Sequence, residues 1–200
     1  MAHQRKMAWV SLAAALALST APAAAQAPDV FEINYFANAN TDSGADATVR
    51  ITNPGANGAP SPAGDLCALI YVFTADQQMA ECCGCPVSPN GLRTLSVTRD
   101  LTDNPLTGVL PTTGALKIVS STPTATGSCD PTSPTPTPEL IAWATHVQKP
   151  WVSGGTVAIT ETAFEDASLG SAELADLTSK CGAIFDNGSG HGVCTCGRGE

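Results

Sequence analysis

The sequence predicts a mainly β fold: an antiparallel β-sandwich, Ig-like or similar, of about seven strands, stabilised by disulfides and carrying one short C-terminal helix. Three observations lead there. Short alternating or continuously apolar, β-prone segments recur along the chain, each bounded by Gly, Pro, Asn or Asp turns. Eight cysteines, an even number, follow a leader with the marks of an export signal. Charged residues make up 14% of the chain, against about 25% in a typical soluble domain, and Gly, Pro, Ser and Thr fill the gap.

The leader comprises residues 1–25. Arg5 and Lys6 form a positive start, Ala8 to Leu18 an apolar run, and Ser19 to Ala25 a small-residue cleavage region, so the expected mature chain begins at Gln26. The apolar run is shorter than the roughly 20 residues needed to span a bilayer, which disfavours a membrane anchor. No later stretch reaches such a length, so no integral membrane segment is expected in the mature chain. Residues 26–44 read as an exposed lead-in that docks through Phe31, Ile33 and Tyr35, and residues 45–200 as a single disulfide-stabilised β domain.

Within that domain Ala47, Val49 and Ile51 alternate with polar neighbours, giving a half-buried strand that ends at Asn53-Pro54-Gly55. Leu66 to Thr74 is apolar almost throughout, the pattern of a central strand covered on both faces. Met79 to Cys85 reads as its hairpin partner, broken by Pro86 to Gly91. Leu92 to Leu101 turns Leu95 and Val97 inward, and Ala115 to Ser121 places Leu116, Ile118 and Ser120 on one face. The Pro/Thr segment Pro131 to Pro138 reads as an extended loop outside any ladder. Leu140 to Gln148 puts Ile141, Trp143, Thr145 and Val147 on one side, with Trp143 expected in the core, and Thr156 to Phe164 forms the last strand. The helix starts at Ser171 as N-cap, presents Leu174, Leu177, Cys181 and Ile184 as an apolar stripe, and stops at Asn187-Gly188.

Cys67, Cys82, Cys83, Cys85, Cys129, Cys181, Cys194 and Cys196 all fall after the leader, where export favours oxidation. Alternation places Cys83 and Cys85 on one face, Cys82 on the other, and Cys194 with Cys196 on a shared face. Cys67 is expected near Cys83 or Cys85 across the hairpin. Cys181 is expected to meet Cys194 or Cys196, leaving the other to reach Cys129 or the Cys82 to Cys85 cluster. A metal site built from these cysteines with His191 is the alternative, but C-C-x-C and C-x-C match zinc knuckles poorly. No metal and no cofactor is expected.

Candidate chemistry is sparse. Acidic residues outnumber basic ones 18 to 9, and loss of Arg5 and Lys6 with the leader takes the formal charge from −9 to −11, which argues against nucleic acid as a partner. Gly188-Ser189-Gly190 lacks the register of a nucleophile elbow. His146 reads as an exposed strand residue and His191 as a loop residue. Glu161 and Glu165, with Asp166 beside them, share a strand face as a glycosidase pair would, though without an aromatic platform. Asp42, Asp46 and Asp65 are scattered oxygen ligands without calcium-loop spacing. Trp143 and Trp151 offer flat faces of the kind that stack on sugars.

The segments Leu66 to Phe73 (LCALIYVF), Glu81 to Leu92 (ECCGCPVSPNGL), Asn104 to Gly108 (NPLTG) and Gly190 to Gly197 (GHGVCTCG) resemble a group of uncharacterised secreted bacterial proteins over most of residues 45–200. The resemblance implies export and a shared disulfide framework, and it carries no activity or site. The expected function is therefore a secreted or cell-envelope, non-catalytic structural or adhesion module, its partner an extracellular or cell-surface protein or a glycan. The alternative is a secreted hydrolase or ligand-binding protein with a pocket built from loops. A histidine within reach of a carboxylate or serine in a cleft would favour the enzyme.

Overall fold

The computed structural model describes residues 30–41, 45–148 and 155–197. The chain forms two antiparallel sheets and a helix. The strands are β1 (Phe31–Ala37), β2 (Thr48–Asn53), β3 (Leu66–Thr74), β4 (Met79–Val87), β5 (Gly91–Ser96), β6 (Thr113–Ser121), β7 (Ile141–Gln148), β8 (Ala158–Ala163) and β9 (Glu165–Asp166), followed by helix α1 (Ser171–Asn187). One sheet runs β4-β3-β6-β1-β9, the other β5-β2-β7-β8. The mainly β sandwich read from the sequence is the fold observed, with nine strands among the described residues where about seven were expected.

Two layers of core follow from the alternation of the central strands. Ala68, Ile70 and Val72 of β3 and Leu116 and Ile118 of β6 face the second sheet, meeting Val49, Ile51, Leu95 and Ala142. Leu69, Tyr71 and Phe73 point the other way and are covered by Leu177, Cys181 and Ile184 of α1. The continuous apolar run of β3 thus reflects cover on both sides, a sheet in front and a helix behind. Lys117 on β6 joins Glu173 on α1 at 2.6 Å, at the positive end of the helix dipole, and its ammonium lies 4.6 Å from the centre of the Phe73 ring.

The expected lead-in is in part a sheet strand. Residues 31–37 pair with β6 from Phe31↔Val119 to Ala37↔Thr113, and Phe31 and Phe36 are buried. Its apolar island docks by main-chain pairing as well as by side chains, and it encloses Glu32 and Asn34, polar residues of the kind that mark a loop. The extra short strand β9 pairs beside it, Glu32↔Asp166 and Ile33↔Glu165.

Four further boundaries differ from expectation. β5 ends at Ser96, and Val97–Leu101 wind into a π-helical turn. Polar side chains drive this: Ser96 Oγ accepts from Arg99 N at 2.8 Å, Asp100 accepts from Ser96 N at 2.7 Å, and Thr102 Oγ donates to Val97 O at 2.7 Å. β4 runs on through Pro86 to Val87, which an edge strand permits because the missing N–H is not needed there. The Pro/Thr segment does touch the sheet, since Thr122 N donates to Thr135 O and Thr137 N to Ser120 O, flanking a single bridge at Pro136. The helix cap is Gly170 rather than Ser171, with no side-chain cap, while Gly188 closes the other end in the left-handed conformation at φ 66°.

On β7 the phase is reversed. Ala142, Ala144 and His146 face inward and Trp143 lies half-buried on the outer face, opposite Arg50 and Ala163. Both alternating sets of β7 carry apolar residues, so alternation alone does not fix which set turns inward. Val147 is buried as well.

Candidate functional site

Strand β4 carries three cysteines, and each holds a different part of the C-terminus. Cys82 bonds Cys181 of α1, Cys83 bonds Cys194 and Cys85 bonds Cys196, with Cα separations of 5.9, 5.2 and 5.3 Å. The tail lies parallel to β4: Cys82 N donates to Gly192 O at 2.9 Å and Cys194 N to Cys82 O at 3.3 Å. Alternation explains the division of labour. Cys83 and Cys85 face the inter-sheet core with the matching tail pair, whereas Cys82 faces the helix.

Two of the expected pairings are corrected. Cys67 bonds Cys129 at a Cα separation of 5.4 Å, not a cysteine of β4. In the hairpin register Cys67 stands opposite Pro86, and it faces the helix side while Cys83 and Cys85 face the other sheet, so no bridge across the pair can form. Cys181 bonds Cys82 rather than Cys194 or Cys196, because the tail docks on β4 instead of folding over the helix. All eight sulfurs are joined to one another, leaving none to ligate a metal.

Beside this clasp opens a cleft of about 710 Å³, walled by β5, the π-helical turn and tail residues Cys196 and Gly197. Arg93 is held across it, donating to Cys196 O at 3.1 Å and Pro86 O at 2.8 Å. Ser96 donates to Asp46, which also accepts from Thr98 N at 3.1 Å. Asp100 accepts from Thr195 Oγ at 3.2 Å as well as from Ser96 N, and so ties the tail to the turn. Arg99 touches Ser96 Oγ through Nε at 3.4 Å and is otherwise exposed. Ser96 Oγ, buried and engaged by Asp46 and the Arg99 N–H, caps the π-helical turn.

A second polar cluster sits below the clasp. Glu81 of β4 is wholly buried, its Oε1 accepting from Asn104 N at 3.0 Å while Oε2 has no partner among the described residues. Burial, reinforced by the nearby Asp103 charge and opposed by the Asn104 N–H, pushes its carboxyl up to about 8. The Asn104 side chain donates to Gly190 O at 2.7 Å and bonds the His191 ring at 2.9 Å, so both groups serve to seat the tail.

The remaining candidates disperse. His146 is fully buried rather than exposed: its ring stacks on Tyr35 at 4.1 Å and bonds Thr162 Oγ at 2.8 Å. Burial lowers its pKa. Neither His146 nor His191 lines the cleft. Glu161 lies on β8 and pairs with Arg50 at 2.7 Å, whereas Glu165 and Asp166 lie on β9 in the other sheet, so the two carboxylates do not share a strand face. Ser189 Oγ accepts from the His191 backbone at 3.1 Å. Asp46 serves the π-helical turn, and Asp65 is half-buried ahead of β3. Asp42 and Trp151 lie outside the described residues. Sequence reasoning passed over Glu81, Arg93 and Arg99. Glu81 shares the alternation of Cys83 and Cys85, a signal of burial that was available.

Fold and site together define a disulfide-clasped antiparallel β-sandwich with a polar cleft at its C-terminal seam. Comparison with protein-family models, curated proteins and solved structures yields no match. Four disulfides suit an oxidising compartment, and among the described residues no helix is long and apolar enough to cross a membrane.

Proposed function

We propose that the chain is an exported, non-catalytic module of the extracellular space or the cell envelope, serving surface structure, adhesion or assembly. The observation that carries this reading is the triple clasp: one edge strand holds a helix and a tail through three disulfides, a covalent reinforcement suited to a chain that works outside the reducing cytoplasm. The positions of His146 and His191 support it, since each is spent on a structural contact away from the cleft. A ligand-binding role is favoured by the cleft itself, whose size suits a small polar molecule. A hydrolytic role has less support, because Ser96 has a carboxylate and an arginine N–H for partners and no imidazole.

Expression of the full chain in a bacterial host, followed by fractionation, non-reducing mass spectrometry and N-terminal sequencing, tests the reading. The expected product is periplasmic or extracellular, begins at Gln26 and has no free thiol. A cytoplasmic product that retains Met1 and eight thiols overturns it. Turnover of a generic ester, glycoside or peptide substrate that is lost in Ser96→Ala would overturn its non-catalytic part.

A further inference from the structure

We propose that the cleft between β5, the π-helical turn and the tail binds a carboxylated sugar of the uronate class, with Arg99 as the carboxylate anchor. The proposal deepens the reading of the chain as an exported module and takes from it only the expectation that glycans are within reach.

The argument begins with the cations. The described residues include five: Arg50, Arg93, Arg99, Lys117 and Lys180. Arg50, Lys117 and Lys180 each pair with a carboxylate at 2.6 to 2.7 Å. The two that form no ion pair among the described residues, Arg93 and Arg99, both line this one cleft. In a chain where acidic residues outnumber basic ones 18 to 9, such cations gathered in one place stand against the surrounding charge. Arg93 is fixed by two main-chain carbonyls, which orient its guanidinium without neutralising it. Arg99 spends only Nε on Ser96, and its two Nη groups keep the planar fork that matches a carboxylate.

The rest of the lining selects a sugar. Asp100 is buried and its oxygens are occupied by Ser96 and Thr195, so it does not compete for Arg99. Asp103 is exposed on the cleft, where it can accept from ligand hydroxyls while its charge disfavours a doubly charged phosphate. Thr94 and Thr98 add hydroxyls that both donate and accept. Leu92, 60% exposed on the same rim, offers an apolar surface for the C–H face of a pyranose ring. One guanidinium fork, hydroxyl partners and a small apolar platform together fit a ring bearing a single carboxylate.

The test is a titration of the oxidised full chain, by calorimetry and amide NMR, with the singly charged methyl galacturonoside, with the neutral methyl galactoside and with inorganic phosphate. Methyl galacturonoside is expected to bind at millimolar concentration or below, shifting amides of β5 and the π-helical turn, with the neutral sugar and phosphate at least about tenfold weaker. Arg99→Gln should lose about tenfold in affinity, Arg99→Lys should retain part of it, and Lys180→Gln, on α1 against the other sheet, should change nothing. Unchanged melting temperatures show that the Arg99 variants fold. Absence of binding, equal binding of the neutral sugar or phosphate, or indifference to Arg99→Gln overturns the proposal. Any of these from an exported, fully oxidised chain leaves the module reading standing, whereas a reduced cytoplasmic chain removes that reading whatever sugar it binds.

Discussion

Replacing Glu81 by Gln removes a buried ionisable group while keeping its shape, and the consequence depends on pH with a definite sign. In the folded chain the Glu81 carboxyl is raised to about 8 from an ordinary 4.5, chiefly by desolvation. The folded state therefore holds its proton more tightly than the unfolded state does, so the associated stability is intact below pH 4.5 and is lost as pH rises toward 8. At about 1.4 kcal/mol per pKa unit, the linkage costs the wild type about 1 kcal/mol at pH 5, about 3 kcal/mol at pH 7 and about 5 kcal/mol in the plateau above pH 8. The substituted glutamine does not titrate. Its amide leaves a donor where Oε2 now lacks a partner, at a cost of about 1–3 kcal/mol that is the same at every pH. The informative quantity is thus the difference between variant and wild type as a function of pH. Urea denaturation of the oxidised proteins at pH 5, 6 and 7 should show Glu81→Gln gaining about 2 kcal/mol on the wild type across that range. Parallel pH profiles for the two proteins would refute the reasoning, because a carboxyl that titrates normally in the fold contributes no such slope.

The disulfides should differ in worth. With Cys83–Cys194 in place, Cys85–Cys196 closes only a small ring, so Cys85→Ala/Cys196→Ala should cost about 2 kcal/mol, against about 4 kcal/mol for Cys67→Ala/Cys129→Ala, which opens a separation of 62 residues; denaturant midpoints decide the order. Gly114→Ala should lower stability by about 3 kcal/mol or more, since the new Cβ would stand 1.9 Å from Phe73 O, while Gly182→Ala, with open space around it within α1, should raise it by about 0.5–1 kcal/mol; thermal melts compare them. The His146 imidazole should stay neutral to below its ordinary value of about 6.5, so that its contribution to stability is lost as pH falls, and ring-proton NMR reads this directly.

What the sequence determined by itself rests on local pattern. The unbroken run Leu66 to Thr74 specified a strand covered on both faces, and the four-residue spacing of Leu177 and Cys181 specified the buried side of α1. Alternation alone separated Cys82 from Cys83 and Cys85 and placed Cys194 with Cys196. Tertiary structure decided what depends on register and on which layers meet. Whether Cys67 could reach β4 turned on its standing opposite Pro86, a one-residue offset that carries a side chain to the other face. Residues 31–37 read as a lead-in because their polar members, Glu32 and Asn34, are enclosed only by the tertiary fold, Asn34 finding its partners Thr162 and Ala163 on β8 of the other sheet. The phase of β7 was hidden because both faces carry apolar residues. The cleft was invisible because Arg93, Arg99, Asp103 and Cys196 are brought together by the docking of the tail on β4, a contact between positions more than 100 residues apart that no local pattern encodes.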